Sequence, residues 1–163
     1  MPTTPPKGEP PSSVRQIHLA WLPVALWMAL IFCASTDLGA PRQTSRILVP
    51  VLRWLIPDIS ATALNRAQLL VRKTGHALGY AVLAVLISRA RRRIRQNSEP
   101  PCLRRDATIA FVLTVLYAAT DEWHQTFTAS RQGSVADVAL DATGAVAGLA
   151  LLWLWDRRRC RPS

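Results

Sequence analysis

Residues 107–155 read ATIAFVLTVLYAAT, then DEWHQTFTASRQGS, then VADVALDATGAVAGLALLWLW. Two apolar runs of helical length joined by a short polar stretch describe a helical hairpin that crosses a membrane and turns at one face. The turn is unusual in its chemistry. Asp121, Glu122, His124, Gln125, Arg131, Asp137 and Asp141 all fall within it or at the start of the second run, and charge beside apolar segments is costly unless it pairs or lines a wet cavity.

Working outward, the same alternation covers the whole chain. Half of the 163 residues are hydrophobic, and they are gathered into apolar runs separated by arginine-rich stretches. The class is therefore all-α and membrane-spanning. The formal net charge is +10, but the basic residues cluster beside apolar runs instead of forming a basic face interleaved with aromatics, which argues against a nucleic-acid partner. Cys33, Cys102 and Cys160 are odd in number and lack metal-ligand spacing, so neither a disulfide framework nor a zinc site is expected.

Residues 1–16 carry Pro2, Pro5, Pro6, Pro10 and Pro11 with few apolar side chains, the composition of a disordered tail. Residues 17–35 follow as a first span, roughly 28 Å long as a helix. This run is too long for the apolar part of a signal peptide, and Phe32 before Cys33 is too large for a lipoprotein-type cleavage site, so it reads as an uncleaved anchor. Residues 36–72 form a polar connection interrupted by an apolar patch at 47–56, bounded or kinked by Pro50 and Pro57 and suited to the membrane interface. Asp58 or Ser60 is placed to cap a helix leading to Lys73.

The second apolar run, 77–88, and the third, 107–120, would be only about 18 Å and about 21 Å long as helices, short of the ~30 Å hydrocarbon core. Each must draw polar neighbours in with it. For the second run these are Lys73 and His76, which share a helix face with Tyr80 at i, i+3 and i+7. For the third they are Asp121 to Gln125. A fourth span covers 135–155.

Arginines fix the orientation. Seven lie between residues 89 and 105 and four between 157 and 161, which places both segments in the cytoplasm by the positive-inside rule. The expected architecture is a four-helix transmembrane bundle with both termini cytoplasmic. It comprises a tail at 1–16, a membrane domain at 17–156 and a basic tail at 157–163.

In that topology Lys73 and His76, Asp121 to Gln125, and Asp137 with Asp141 meet at the outer ends of three spans, giving an outward-facing polar cavity. Asp121, Glu122, Asp137 and Asp141 set four carboxylates against Lys73 and Arg131, an excess that bound protons or a bound cation would offset. Asp137, Asp141, Gly144 and Gly148 form one stripe at i, i+4, i+7 and i+11, and the two glycines permit close helix approach. Plainer roles stand beside these. Ser134 and Asp137 resemble a capping box, Gly133 suits a turn, Arg131 suits an interfacial anchor, and Lys73 could snorkel to the surface.

The ordered set Lys73-x-x-His76-x-x-x-Tyr80, Asp121-Glu122-x-His124-Gln125, Arg131-x-Gly133-Ser134, Asp137, and Gly144 with Gly148 resembles the VanZ-like family of small integral membrane proteins. The resemblance covers residues 73–148. That family often carries asparagine where this chain has Asp141. The resemblance implies a multi-pass protein of the bacterial cytoplasmic membrane, linked to the envelope and in some members to resistance to the glycopeptide teicoplanin. It supplies no reaction.

Within the cavity, His76, Glu122, His124 and Asp137 are the candidate catalytic residues, as general acids or bases. Lys73, Tyr80, Asp121, Gln125, Arg131 and Asp141 are the candidate substrate-binding residues, with Lys73 and Arg131 as anion holders. No residue is assigned as a metal ligand, and no cofactor is named. Membrane lipids are the expected partners, with a lipid or lipoglycopeptide as candidate ligand. Three readings remain open: an enzyme acting on an envelope lipid or lipid-linked precursor, a binding or small transport protein, and a structural scaffold.

Overall fold

The computed structural model describes residues 12–36, 41–95, 103–127 and 133–159. It contains five helices: α1 (Ser12–Ser35), α2 (Pro41–Leu55), α3 (Ala61–Arg95), α4 (Leu103–Gln125) and α5 (Val135–Arg159). α3 is the central element, packed against each of the other four, and α4 also packs against α5 and α1. Among the described residues three helices are long and apolar enough to cross a membrane: α1, α3 and α5. The protein is thus an all-α, multi-span membrane protein.

α1 begins at Ser12 and continues through Pro23, so residues 12–16 are helical, while residues 1–11 lie outside the described set. Its inner face places Ala20, Val24 and Ile31 in the core. Side-chain hydrogen bonds tie it to its neighbours. The Trp27 indole N–H donates to the carbonyl of Gly79 at 2.9 Å, and the Tyr117 hydroxyl donates to the carbonyl of Met28 at 2.8 Å. Trp27 is therefore a packing residue with its polar edge satisfied.

The patch expected at the interface is α2. It runs through Pro50 and ends at Leu55, two residues before Pro57. Among the helices it touches α3 alone, leaving Ile47, Trp54 and Leu55 exposed, as suits a helix lying against lipid. Ser60, not Asp58, caps the next helix: its Oγ accepts the Ala63 N–H at 3.2 Å.

α3 departs most from expectation. Instead of a short span flanked by a connection and an arginine loop, it is one helix of 35 residues, about 52 Å long. Arginine is a good helix former, and no proline interrupts residues 61–95, so Arg89 to Arg95 extend the helix. α4 is likewise longer than its apolar run, at 23 residues. Lys73 and His76 are carried on the same helix as the second apolar run, and Asp121 to Gln125 on the same helix as the third. Asp121, Glu122, Gln125 and Asp141 are buried by neighbouring helices.

α3 and α5 make the closest pairing. A methyl group on Gly144 would overlap the carbonyl oxygen of Ala77, and one on Gly148 would lie 2.5 Å from that of Ala81. The small-residue stripe thus brings two backbones into contact, as its spacing indicates. At the arginine-rich end, Arg95 and Arg91 pair with buried Asp106 at 3.0 and 3.4 Å, and Arg92 pairs with Asp156. These contacts join the C-terminal end of α3 to the start of α4 and to the end of α5.

Candidate functional site

The opposite end of the molecule gathers the acids. α3 brings Lys73 and His76, α4 brings Glu122 and Gln125, and α5 brings Asp137 and Asp141; these six line one cavity together with Arg72 and Leu140. The cavity has about 30 Å³ of free volume, enough for roughly two waters at ~10–15 Å³ each. Six of the ten residues that the sequence marks as candidates therefore share one wall.

Each acid is held differently. Lys73 Nζ donates to Asp137 Oδ1 at 2.5 Å, linking α3 to α5. Glu122 Oε2 accepts the backbone N–H of Ser134 at 2.9 Å. That N–H is the donor an N3 side chain would take in a capping box; here α4 supplies the acceptor, and Asp137 turns to Lys73 instead. The Ser134 hydroxyl still accepts the Ala136 N–H at 3.2 Å, an N-cap for α5.

Gly133 lets this junction close. A methyl group there would overlap the Glu122 carbonyl oxygen and come within 2.8 Å of the Thr126 side chain. Its role is close approach between the chain entering α5 and the end of α4.

Asp141 is the least compensated of the acids. It is 1% exposed, and neither carboxylate oxygen accepts a hydrogen bond among the described residues. Its nearest basic group, His76 Nδ1, stands 3.9 Å from Oδ2, beyond hydrogen-bond reach. His76, Glu122 and Asp141 each offer a donor atom, all within 4.8 Å of one another. These are the described residues that can hold a metal ion.

Three other candidates, Asp121, Tyr80 and His124, stand apart from the cavity wall. Asp121 is a buried hub: its Oδ2 accepts from Ser35 Oγ at 2.7 Å, Tyr80 Oη at 3.0 Å and Gln125 Nε2 at 3.2 Å. Tyr80 and Asp121 thereby join α1, α3 and α4. His124 packs its ring on Phe32, with centroids 4.9 Å apart. Arg131 lies outside the described residues.

Two participants carry little signal in the sequence. Ser35 ends an apolar run, where a serine is unremarkable, yet it is fully buried on Asp121. Arg72 stands four residues before His76, a spacing that places both on one helix face.

The fold and the cavity together define a class: multi-span helical membrane proteins with a small charged pocket built from three helices. Within it, the chain belongs to the VanZ/LLP1 family, whose model matches residues 20–156. No curated protein and no solved structure gives a significant match.

Proposed function

We propose that this is a protein of the bacterial cytoplasmic membrane with four spans, α4 being the fourth, and with both termini in the cytoplasm. The pocket then faces outward and receives the polar head of an envelope lipid or lipid-linked precursor. Through that ligand the protein influences susceptibility to glycopeptides such as teicoplanin.

One observation carries the reading: a small charged cavity opens between helices that also expose apolar side chains, Leu70 and Leu78 on α3 and Val135 on α5 among them. An amphipathic ligand matches such a surface, with its chains against the helices and its head at the cavity. Arg72 supplies a cationic contact for a phosphate at the wall, beside the Lys73–Asp137 ion pair, whose lysine has further N–H groups to donate. The arginine-rich ends of α3, α4 and α5 support the orientation.

The test is saturable binding of a polyprenyl phosphate and of phosphatidylglycerol to the purified full-length protein, compared with its Arg72→Ala/Lys73→Ala variant. Wild-type binding with at least tenfold weakening in the variant supports the reading. Equal binding by both would overturn it.

A second reading, hydrolysis or transfer on the same lipid, is favoured by His76 and Glu122 beside a cavity of water-holding size. Full activity in Glu122→Gln and His76→Ala at normal expression would sink it.

A further inference from the structure

We propose that His76, Glu122 and Asp141 form a binding site for one divalent metal cation of the class that accepts mixed imidazole and carboxylate donors, with Zn²⁺ and Mn²⁺ as its representatives. The site deepens the head-group reading above and rests on it only for what the ion does to a ligand; binding of the ion itself stands on separate observations.

The first is convergence. Three helices each deliver one donor, a ring nitrogen from α3 and one carboxylate from each of α4 and α5, within 4.8 Å of one another. An ion centred among atoms at that spacing lies no more than about 2.8 Å from each, and small side-chain rotations reach the ~2.0–2.6 Å of divalent coordination. Three protein ligands with room for a water are the pattern of an open metal site. The cavity of about 30 Å³ supplies that room.

The second observation is independent of clustering. The Asp141 carboxylate is almost wholly buried, and both oxygens lack a hydrogen-bond partner among the described residues. A buried ionised carboxylate left in that state is strongly unfavourable, and coordination of a cation is one of the few arrangements that removes the penalty.

His76, 3.9 Å away, is itself one of the three donors, and the cations outside the cluster do not remove the penalty. Lys73 is engaged by Asp137, and Arg72 lines the cavity without an ion pair to Glu122 or Asp141 among the described residues. Glu122 commits Oε2 to the Ser134 N–H, which leaves Oε1 for a single metal bond. That backbone contact also orients the ligating carboxylate from behind, as outer-shell partners of metal ligands do.

The ion would give the cavity a fixed positive charge beside Arg72 and Lys73. A phosphate oxygen of the lipid head is then the natural occupant of the open position.

The test uses full-length protein in detergent micelles, stripped with a chelator and titrated separately with Zn²⁺, Mn²⁺, Mg²⁺ and Ca²⁺. Bound metal is measured by elemental analysis and the thermal unfolding midpoint is followed. The expected result is one equivalent of Zn²⁺ or Mn²⁺ bound and a raised midpoint. Asp141→Asn and His76→Gln should each weaken that affinity by on the order of tenfold or more. The metal-free midpoint of Asp141→Asn should equal or exceed that of metal-free wild type.

Absence of stoichiometric binding to wild type would overturn the proposal, and so would undiminished binding by either folded variant. The lipid assay run with and without metal separates the two readings. Metal binding without phosphate-lipid binding refutes the head-group reading alone, whereas lipid binding by a protein that takes up no metal refutes the metal site alone.

Discussion

Lys73 Nζ and Asp137 Oδ1 meet at 2.5 Å across 64 residues of sequence, fastening α3 to α5 at the mouth of the cavity. The lysine is 38% exposed and the aspartate 23%, so screening moderates the bond. Asp137→Asn should lower stability by about 1 kcal/mol. Lys73→Asp combined with Asp137→Lys should recover most of the loss, as read by thermal unfolding in detergent.

The close approach of α3 and α5 makes glycine obligatory at one position and dispensable at another. Gly144→Val must force the Ala77 backbone away, costing about 3 kcal/mol through overpacking. Nothing lies within 4 Å of a methyl group on Gly75, so Gly75→Ala should be neutral or should stabilise by up to about 1 kcal/mol. Proteolysis of membranes carrying each variant ranks them.

Asp121 serves three donors through one oxygen. Asp121→Ala strands all three and should cost about 3 kcal/mol, against about 1 kcal/mol for Tyr80→Phe or Ser35→Ala. Because the groups form one network, Ser35→Ala added to Asp121→Ala should cost far less than it does alone. A double-mutant cycle on unfolding midpoints measures this.

Glu122 has a role in the fold that separates from its charge. Glutamine keeps an acceptor for the Ser134 N–H, so Glu122→Gln should unfold within a few degrees of wild type. Glu122→Ala, which orphans the donor, should lose about 1–2 kcal/mol. If the carboxylate acts in the cavity, both variants should shift teicoplanin susceptibility equally.

Orientation is open to direct labelling. In a cysteine-free background, Thr126→Cys should react with a membrane-impermeant maleimide in intact cells. Arg104→Cys should react only after lysis. The reverse pattern would invert the topology.

Much of this arrangement is legible in the sequence wherever a single helix decides it. Asp137, Asp141, Gly144 and Gly148 fall on one stripe because the α-helical period puts them there, and the Gly144 contact with Ala77 follows. The convergence of Lys73, His76, Glu122 and Asp141 is also readable, since arginines mark the opposite ends of the same spans. Pairing choices are not. Whether Lys73 takes Asp137 or another acid depends on the rotation of α5 against α3, which no single segment encodes. Helix ends are hidden for a related reason: hydropathy falls at Arg89, but backbone propensity does not, so α3 continues to Arg95.

The unbroken course of α3 makes it a strut. His76 and Arg92 stand on one rod about 24 Å apart, the first at the cavity and the second clamped to Asp156. No proline interrupts the helix between them, the commonest cause of a sharp local kink. A tilt or slide of the whole rod that carries His76 away from Asp141 would strain the arginine clamp at its far end.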